Sequence, residues 1–273
     1  MKILNRTLLY SFLGIVSLVF IVPILIILFT SFKTNPELLR NTPFAFPNSF
    51  GNLDNFAYFF KVGNIGTAFG NSAVLIILSV FGNILLGSMA AYVLGRFQFR
   101  AKKPILYMYM IALIVPGITT EVARYSIVTE LGVYNTLMAP TLLYIGTDII
   151  QIYMYLQFSK TLPYSLDESA MMEGASYFKI YYRIFFPLLA PATATIAILK
   201  TIGVFNDMYI PYLYMPSSDL RTVATVLIGF TGDRMVLWNY MSAGIMVITL
   251  PSLVLYLFCQ RWIFSGIAMG AVK

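Results

Sequence analysis

The 273-residue sequence has no histidine, one cysteine and only 11% charged residues. Without histidine, and with Cys259 alone, zinc and haem sites of the common kinds are excluded, as is an internal disulfide. The scarcity of charge excludes a water-soluble globule, since soluble domains carry about a quarter charged residues. A phosphate-binding loop of the form G-x4-G-K-[ST] is also missing, which excludes a nucleotide site of that kind on this chain. No grouping of nucleophile and base suggests a catalytic site, and no internal repeat is visible. What fills the sequence instead is apolar: 59% hydrophobic residues and a mean hydropathy of +0.80. The 18 basic and 11 acidic residues leave a net charge of +7. Because the basic groups fall in short segments between long apolar runs, they point to a membrane surface and not to nucleic acid.

A spanning helix needs about 20 apolar residues at a rise of about 1.5 Å each. Uncharged runs of 26, 34 and 26 residues lie between Arg6 and Lys33, Lys61 and Arg96, and Arg234 and Arg261. A run of 17 extends from Pro104 to Thr120. Two further runs are interrupted by charge: Leu137 to Phe158 by Asp148, and Pro187 to Tyr209 by Lys200 and Asp207. The expected fold is therefore an all-α integral membrane protein with six transmembrane helices. Lys2 and Arg6 before the first run resemble the start of a signal peptide. The run is long, contains Pro23 and leads to no A-x-A pattern before Lys33, so it is expected to stay as an anchor. With both termini cytoplasmic, 11 basic residues lie inside and six outside, and Lys200 is buried. The domains expected are a first helix with an extracytoplasmic loop (1–69), a core of five transmembrane helices (70–262) and a cytoplasmic tail (263–273).

The loop from Lys33 to about Gly70, rich in Pro, Asn and Phe, predicts an irregular lid or interfacial segment. The segment after Asp207 is expected to open with turns at Pro211 and Pro216. Gly82, Gly87, Ala90 and Ala91 are expected at close helix contacts. Pro116-Gly117, Pro140 and Pro251 should kink or interrupt their helices.

The most informative segment is the cytoplasmic loop 160–187. Ser165 followed by Glu168 forms a capping-box pattern, predicting a short helix from Leu166 to about Glu173. Gly174 can adopt the left-handed conformation that ends it, and Ser176 can cap a second helix leading to Pro187. From the residues alone, an ordinary amphipathic interfacial loop fits as well.

Glu168-Ser169-Ala170, three residues, Gly174, nine residues, then Ile184-Phe185-Phe186-Pro187 resembles the E-A-A-x3-G-x9-I-x-L-P loop of permease subunits of binding-protein-dependent ABC importers. Ser169 and Phe186 depart from that pattern without removing the helix or its glycine corner. The segment Gln260 to Phe264, with Gly266 and Met269 to Lys273, is similar to the ending of the maltose/oligosaccharide class. Phe205-Asn206-Asp207 with Pro211, and Leu220-Arg221-Thr222, resemble the same class. The resemblance implies a type I importer permease core in a prokaryotic cell membrane. It also implies a second homologous permease, two copies of a cytoplasmic ATPase that binds ATP and Mg, and an extracytoplasmic sugar-binding protein; membrane lipid is the remaining partner. It implies no cofactor or metal on this chain. ATPase coupling would fall to Leu166, Asp167, Glu168, Ser169, Ala170, Met171, Met172, Gly174 and Ala175, with Leu166, Met171, Met172 and Ala175 available to fill an apolar groove. The tail residues Gly270, Ala271, Val272 and Lys273 would reach the ATPases.

Asp148 and Lys200 fall near the middle of their runs, where charge is costly unless it pairs or faces water. They are expected to pair or to line the translocation path, together with Asn206, Asp207 and Tyr209 as groups able to contact sugar. The other readings left open are import of an amino acid or polyamine, or ion-coupled transport through Asp148 and Lys200.

Overall fold

The computed structural model describes residues 2–231 and 238–271, with side chains described for 9–231 and 238–261. Every regular element among them is a helix. In chain order these are α1 (Lys2–Phe32), α2 (Asn35–Arg40), α3 (Asp54–Val62), α4 (Ile65–Arg96), α5 (Lys102–Ile114), α6 (Glu121–Glu130), α7 (Met138–Ile145), α8 (Ile149–Thr161) and α9 (Ser165–Met172). They continue with α10 (Tyr177–Ile180), α11 (Phe186–Leu188), α12 (Ala190–Asn206), α13 (Tyr209–Tyr214), α14 (Val223–Val226) and α15 (Trp238–Ala271).

Among the described residues, three helices are long and apolar enough to cross a membrane: Leu9–Phe32, Ile65–Arg96 and Trp238–Arg261. Counting each of two bent pairs as one span raises the number to five: Lys102–Ile114 with Gly117–Glu130, bent by 103°, and Tyr177–Leu188 with Ala190–Asn206, bent by 74°. The three charge-poor runs expected as single helices are thus broken. In the first, Pro116 forces Val115 into extended backbone and stops α5 after 13 residues. In the second, extended Gly146 and Asp148 separate α7 from α8. In the third, Leu189 divides α11 from α12 between Pro187 and Pro191. Pro23 and Pro251, by contrast, lie inside continuous helices.

The chain divides into two compact units. The first comprises 1–68 and 223–253. There the expected irregular loop is replaced by α2 and α3, held by polar groups that reading for periodicity missed. The Glu37 carboxylate accepts from the backbone N–H of Thr34 at 2.6 Å and of Asn48 at 2.8 Å, closing a capping box on α2. Lys33 is fully buried and donates through Nζ to the carbonyls of Thr42 and Pro43. Asn55 donates to the carbonyls of Ser31 and Lys33 and accepts from Asn239. Phe59 is packed so closely on Gly244 that a Cβ there would collide with its ring.

The second unit, 69–222 and 254–273, is built on α4. A Cβ at Gly82 would meet Ile145 at 2.7 Å, one at Gly95 would meet Ser159 at 2.9 Å, and one at Gly87 would strike the Gln151 amide. Glycines along α4 thus admit α7, at Gly82, and α8, at Gly87 and Gly95. In a bilayer such close approach matters more than apolar burial, because lipid solvates leucine as well as protein does. The core, around Ala91, Tyr155, Ile180, Phe185, Leu189 and Ile196, gathers α4, α8 and the segment after α9.

Candidate functional site

The loop singled out by its sequence forms a helix, corner and helix. Leu162 is extended and Pro163 presets the first turn, so α9 begins at Ser165 with Tyr164 as its cap. The carbonyls of Pro163 and Tyr164 take the first N–H groups. Ser165 therefore stands inside the helix, and the expected capping box with Glu168 does not form. Gly174 has φ +82°, and the N–H of Ala175 bonds the Ala170 carbonyl at 2.9 Å, a left-handed helix ending that glycine adopts without strain. Ser176 accepts from the Lys179 N–H and caps α10. A π-helical turn at Tyr181–Phe185 follows, in which the N–H of Phe186 reaches the Tyr181 carbonyl.

The nine residues expected to couple divide by face. Leu166, Glu168, Ser169 and Met172 are exposed, as is Gly174. Asp167 and Ala170 are buried, and Met171 and Ala175 pack against the chain's own core. Of the four groove-filling residues expected, only Leu166 and Met172 are free to do so.

Asp167 faces Arg96, the last residue of α4. Asp167 Oδ2 lies 2.9 Å from Arg96 Nε, with both side chains under a tenth exposed. Arg96 Nη1 also donates to the Leu162 carbonyl at 3.1 Å, and its guanidinium lies over the rings of Phe185 at 5.4 Å and Tyr164 at 5.8 Å. Burial raises the Asp167 carboxyl above its ordinary range, with Arg96 pulling the other way. In the sequence Arg96 marks the end of an apolar run and one of the inside charges, and the 71-residue separation hides the pair.

The charges expected on the translocation path are placed differently. Asp148 is not in mid-helix: it is the N-cap of α8 and accepts from the Gln151 N–H at 2.8 Å. Buried Asn83 of α4 donates to the Gly146 carbonyl at 2.8 Å and satisfies the end of α7, while Gln151 donates to the Asn83 carbonyl at 2.9 Å. A broken helix is tolerated at membrane depth where side chains take up the freed backbone groups in this way. Asp207 accepts from Tyr144 Oη at 2.7 Å and from the N–H groups of Tyr209 and Ile210, so the chain enters α13, which contains Pro211, without the expected turn.

Asp148, Lys200 and Asp207 line one cavity of about 390 Å³, with Asn83, Tyr144 and Gln151. Lys200 is within electrostatic reach of Asp148, yet no ion pair within 4.0 Å joins them; among the described residues such pairs are Arg96–Asp167 and Arg124–Glu121. Asn206 and Tyr209 are exposed and lie outside the cavity lining. Val272 and Lys273 lie outside the described residues, and Gly270 and Ala271 are described only as backbone at the end of α15.

The sequence profile of the binding-protein-dependent transport system inner membrane component family matches residues 83–268, from Asn83 through α9 and α12 into the last helix. The chain belongs to this family.

As an inner-membrane transport component it is multi-pass and is not itself an enzyme. Similar curated proteins include Probable starch degradation products transport system permease protein AmyC of Thermoanaerobacterium thermosulfurigenes, 34% identical over 97% of this chain and 96% of that one. The melibiose/raffinose/stachyose import permease protein MelC of Bacillus subtilis is 29% identical over 95% and 94%. Among solved structures, a bacterial ABC transporter involved in import of the acidic polysaccharide alginate has a chain superposing with a TM-score of 0.83 at 16% identity, over 94% of this chain and 96% of that one, a likeness of fold.

Proposed function

We propose that the chain is the permease subunit of an ATP-driven importer of carbohydrate, with six spans and both termini cytoplasmic. The observation that carries the mechanism is the two-sided α9: one face exposed through Leu166, Glu168 and Met172, the other fixed to α4 by the buried Arg96–Asp167 pair. A helix with one free face and one tied face passes a push on the first to whatever holds the second. Closure of two partner ATPases on the exposed face displaces α9, the ion pair and the shared rings carry the displacement into α4 and α8, and the glycine contacts between those helices let them move as a body. ATP and Mg belong to those partners.

A second homologous permease completes the path, and an extracytoplasmic binding protein delivers the solute. Carbohydrate is the substrate class supported by the names of AmyC and MelC, which concern starch degradation products and melibiose, raffinose and stachyose. The cavity beside the broken α7–α8 helix offers an ammonium, two carboxylates, a phenol and two amides, a set suited to sugar hydroxyls. An ion relay through Asp148 and Lys200 is less well supported, because Asp148 is occupied as the cap of α8 and forms no ion pair with Lys200. Reconstitution with the ATPases and the cognate binding protein tests the reading: uptake of labelled oligosaccharide should require ATP, and uptake driven by an ion gradient alone would refute it.

A further inference from the structure

A second cavity in the same unit, of about 650 Å³, opens between α4, α5 and α8, and it lies within the size range of ligand sites, about 300–1,000 Å³. Its lining is divided by chemistry. Lys102, in the first turn of α5, and Lys160, in the last turn of α8, supply cations. Arg96 also borders it but is neutralised by Asp167, and no aspartate or glutamate contributes to the wall. Away from the two lysines the wall turns apolar, through Leu106 and Met110 on α5 and Leu156 and Tyr153 on α8. From Lys102 to Met110 is eight residues, about 12 Å of helix at about 1.5 Å per residue. A single leaflet of hydrocarbon is about 15 Å deep, half of the full core. The cavity thus has a cationic mouth and an apolar shaft of about one leaflet.

We infer that this cavity holds an anionic glycerophospholipid, with its phosphate between Lys102 and Lys160 and one acyl chain along Leu106, Met110 and Leu156. The inference rests on the topology proposed above, in which the Lys102 end of α5 faces the cytoplasm. Net positive charge selects an anionic headgroup over a zwitterionic one, and the apolar shaft selects a lipid over a soluble phosphate. The site borders Arg96 and Leu162, so its occupant supports the junction from which α9 departs.

The test uses the full chain in its assembled transporter, in nanodiscs of phosphatidylcholine containing phosphatidylglycerol. After detergent exchange, retained lipid is measured by mass spectrometry. The wild type should hold phosphatidylglycerol in excess of its bulk proportion, and Lys102→Gln with Lys160→Gln should lower that excess about twenty-five-fold, each cation contributing about fivefold. Met110→Trp, which fills the shaft and keeps both charges, should reduce retention of both lipids. Equal retention of the two lipids by the wild type, or an unchanged excess in the double variant, would overturn the site. So would full displacement of the lipid by millimolar inorganic phosphate, which would mark a soluble anion as the occupant. Topology is read separately, by labelling Lys103→Cys in a Cys259→Ser background with an impermeant maleimide. Labelling from the outer face would overturn the topology alone, whereas inner-face labelling without lipid selectivity would overturn the site alone.

Discussion

Replacing Asp167 by alanine removes the acidic half of the tie between α9 and α4. The Arg96 guanidinium then stays under a tenth exposed without a counter-charge, keeping only its bond to the Leu162 carbonyl and the rings of Tyr164 and Phe185. Breaking a buried pair by removing one partner costs about 3–5 kcal/mol, and the remaining contacts favour the lower figure. At about 1.4 kcal/mol per tenfold change, about 3 kcal/mol raises the population with α9 detached from α4 by about a hundredfold. In proteoliposomes with the ATPases and the binding protein, the quantity to measure is ATP hydrolysed per solute imported. Basal hydrolysis should persist while that ratio rises at least tenfold, and thermal stability should fall. Arg96→Met with Asp167→Leu separates tie from fold: an apolar pair of similar volume should restore stability but leave the ratio above wild type. A wild-type ratio and an unchanged melting temperature in Asp167→Ala would refute the reasoning, and a fully restored ratio in the double variant would show that packing, not charge, carries the push.

Other expectations follow from the same geometry. Gly174→Val should uncouple transport, because φ +82° costs a branched residue about 1–2 kcal/mol or more, while Gly174→Asn should be milder; equal activity of the two would argue against a left-handed corner. Exchanging Asp148 and Lys200 should fail to rescue either single change, since lysine at 148 cannot cap α8, whereas Asp148→Asn should keep the cap worth about 1 kcal/mol; recovery of uptake in the exchanged variant would establish a direct pair. On the α2 segment, the N–H groups of Thr34 and Asn48 hold the Glu37 carboxyl below its ordinary value. Its stabilising contribution is therefore complete above pH 4.5 and lost only as pH falls through the lowered value. Protease protection of 34–48 should persist at pH 4.5 and disappear at lower pH, and loss of protection already at pH 6 would contradict the assignment.

The long apolar helices could be read from charge-free runs, because a bilayer imposes length and hydropathy together. The α9 corner could be read as well: Gly174, Ser176 and the fixed spacing to Pro187 act over neighbouring residues. What sequence spacing hid was long-range or depended on a break. Arg96 and Asp167 are 71 residues apart and meet only because α4 and α9 share a core. Asp148 looked like a charge in mid-membrane because its run was counted as one helix; the extended backbone at Gly146 and Asp148 turns it into a cap. Ser165 has the residue type of a cap, but Pro163 starts the turn two residues earlier and leaves Ser165 inside the helix. Lys33, Glu37 and Asn55 looked like loop residues because buried polar networks carry no periodicity.

The central claim is that a push on α9 reaches the spans through its tie to α4. It is tested most directly by cross-linking: cysteines placed at Ala91 on α4 and at Ala170 on α9, two residues of the same core, in a Cys259→Ser background, joined by a short bifunctional reagent in the reconstituted importer. With α9 fixed to α4, the cross-linked importer should retain ATP-dependent uptake near the uncross-linked level. The same reagent applied to Asp167→Ala should restore the lost coupling. Uptake abolished by the cross-link, or no restoration in Asp167→Ala, would contradict the account.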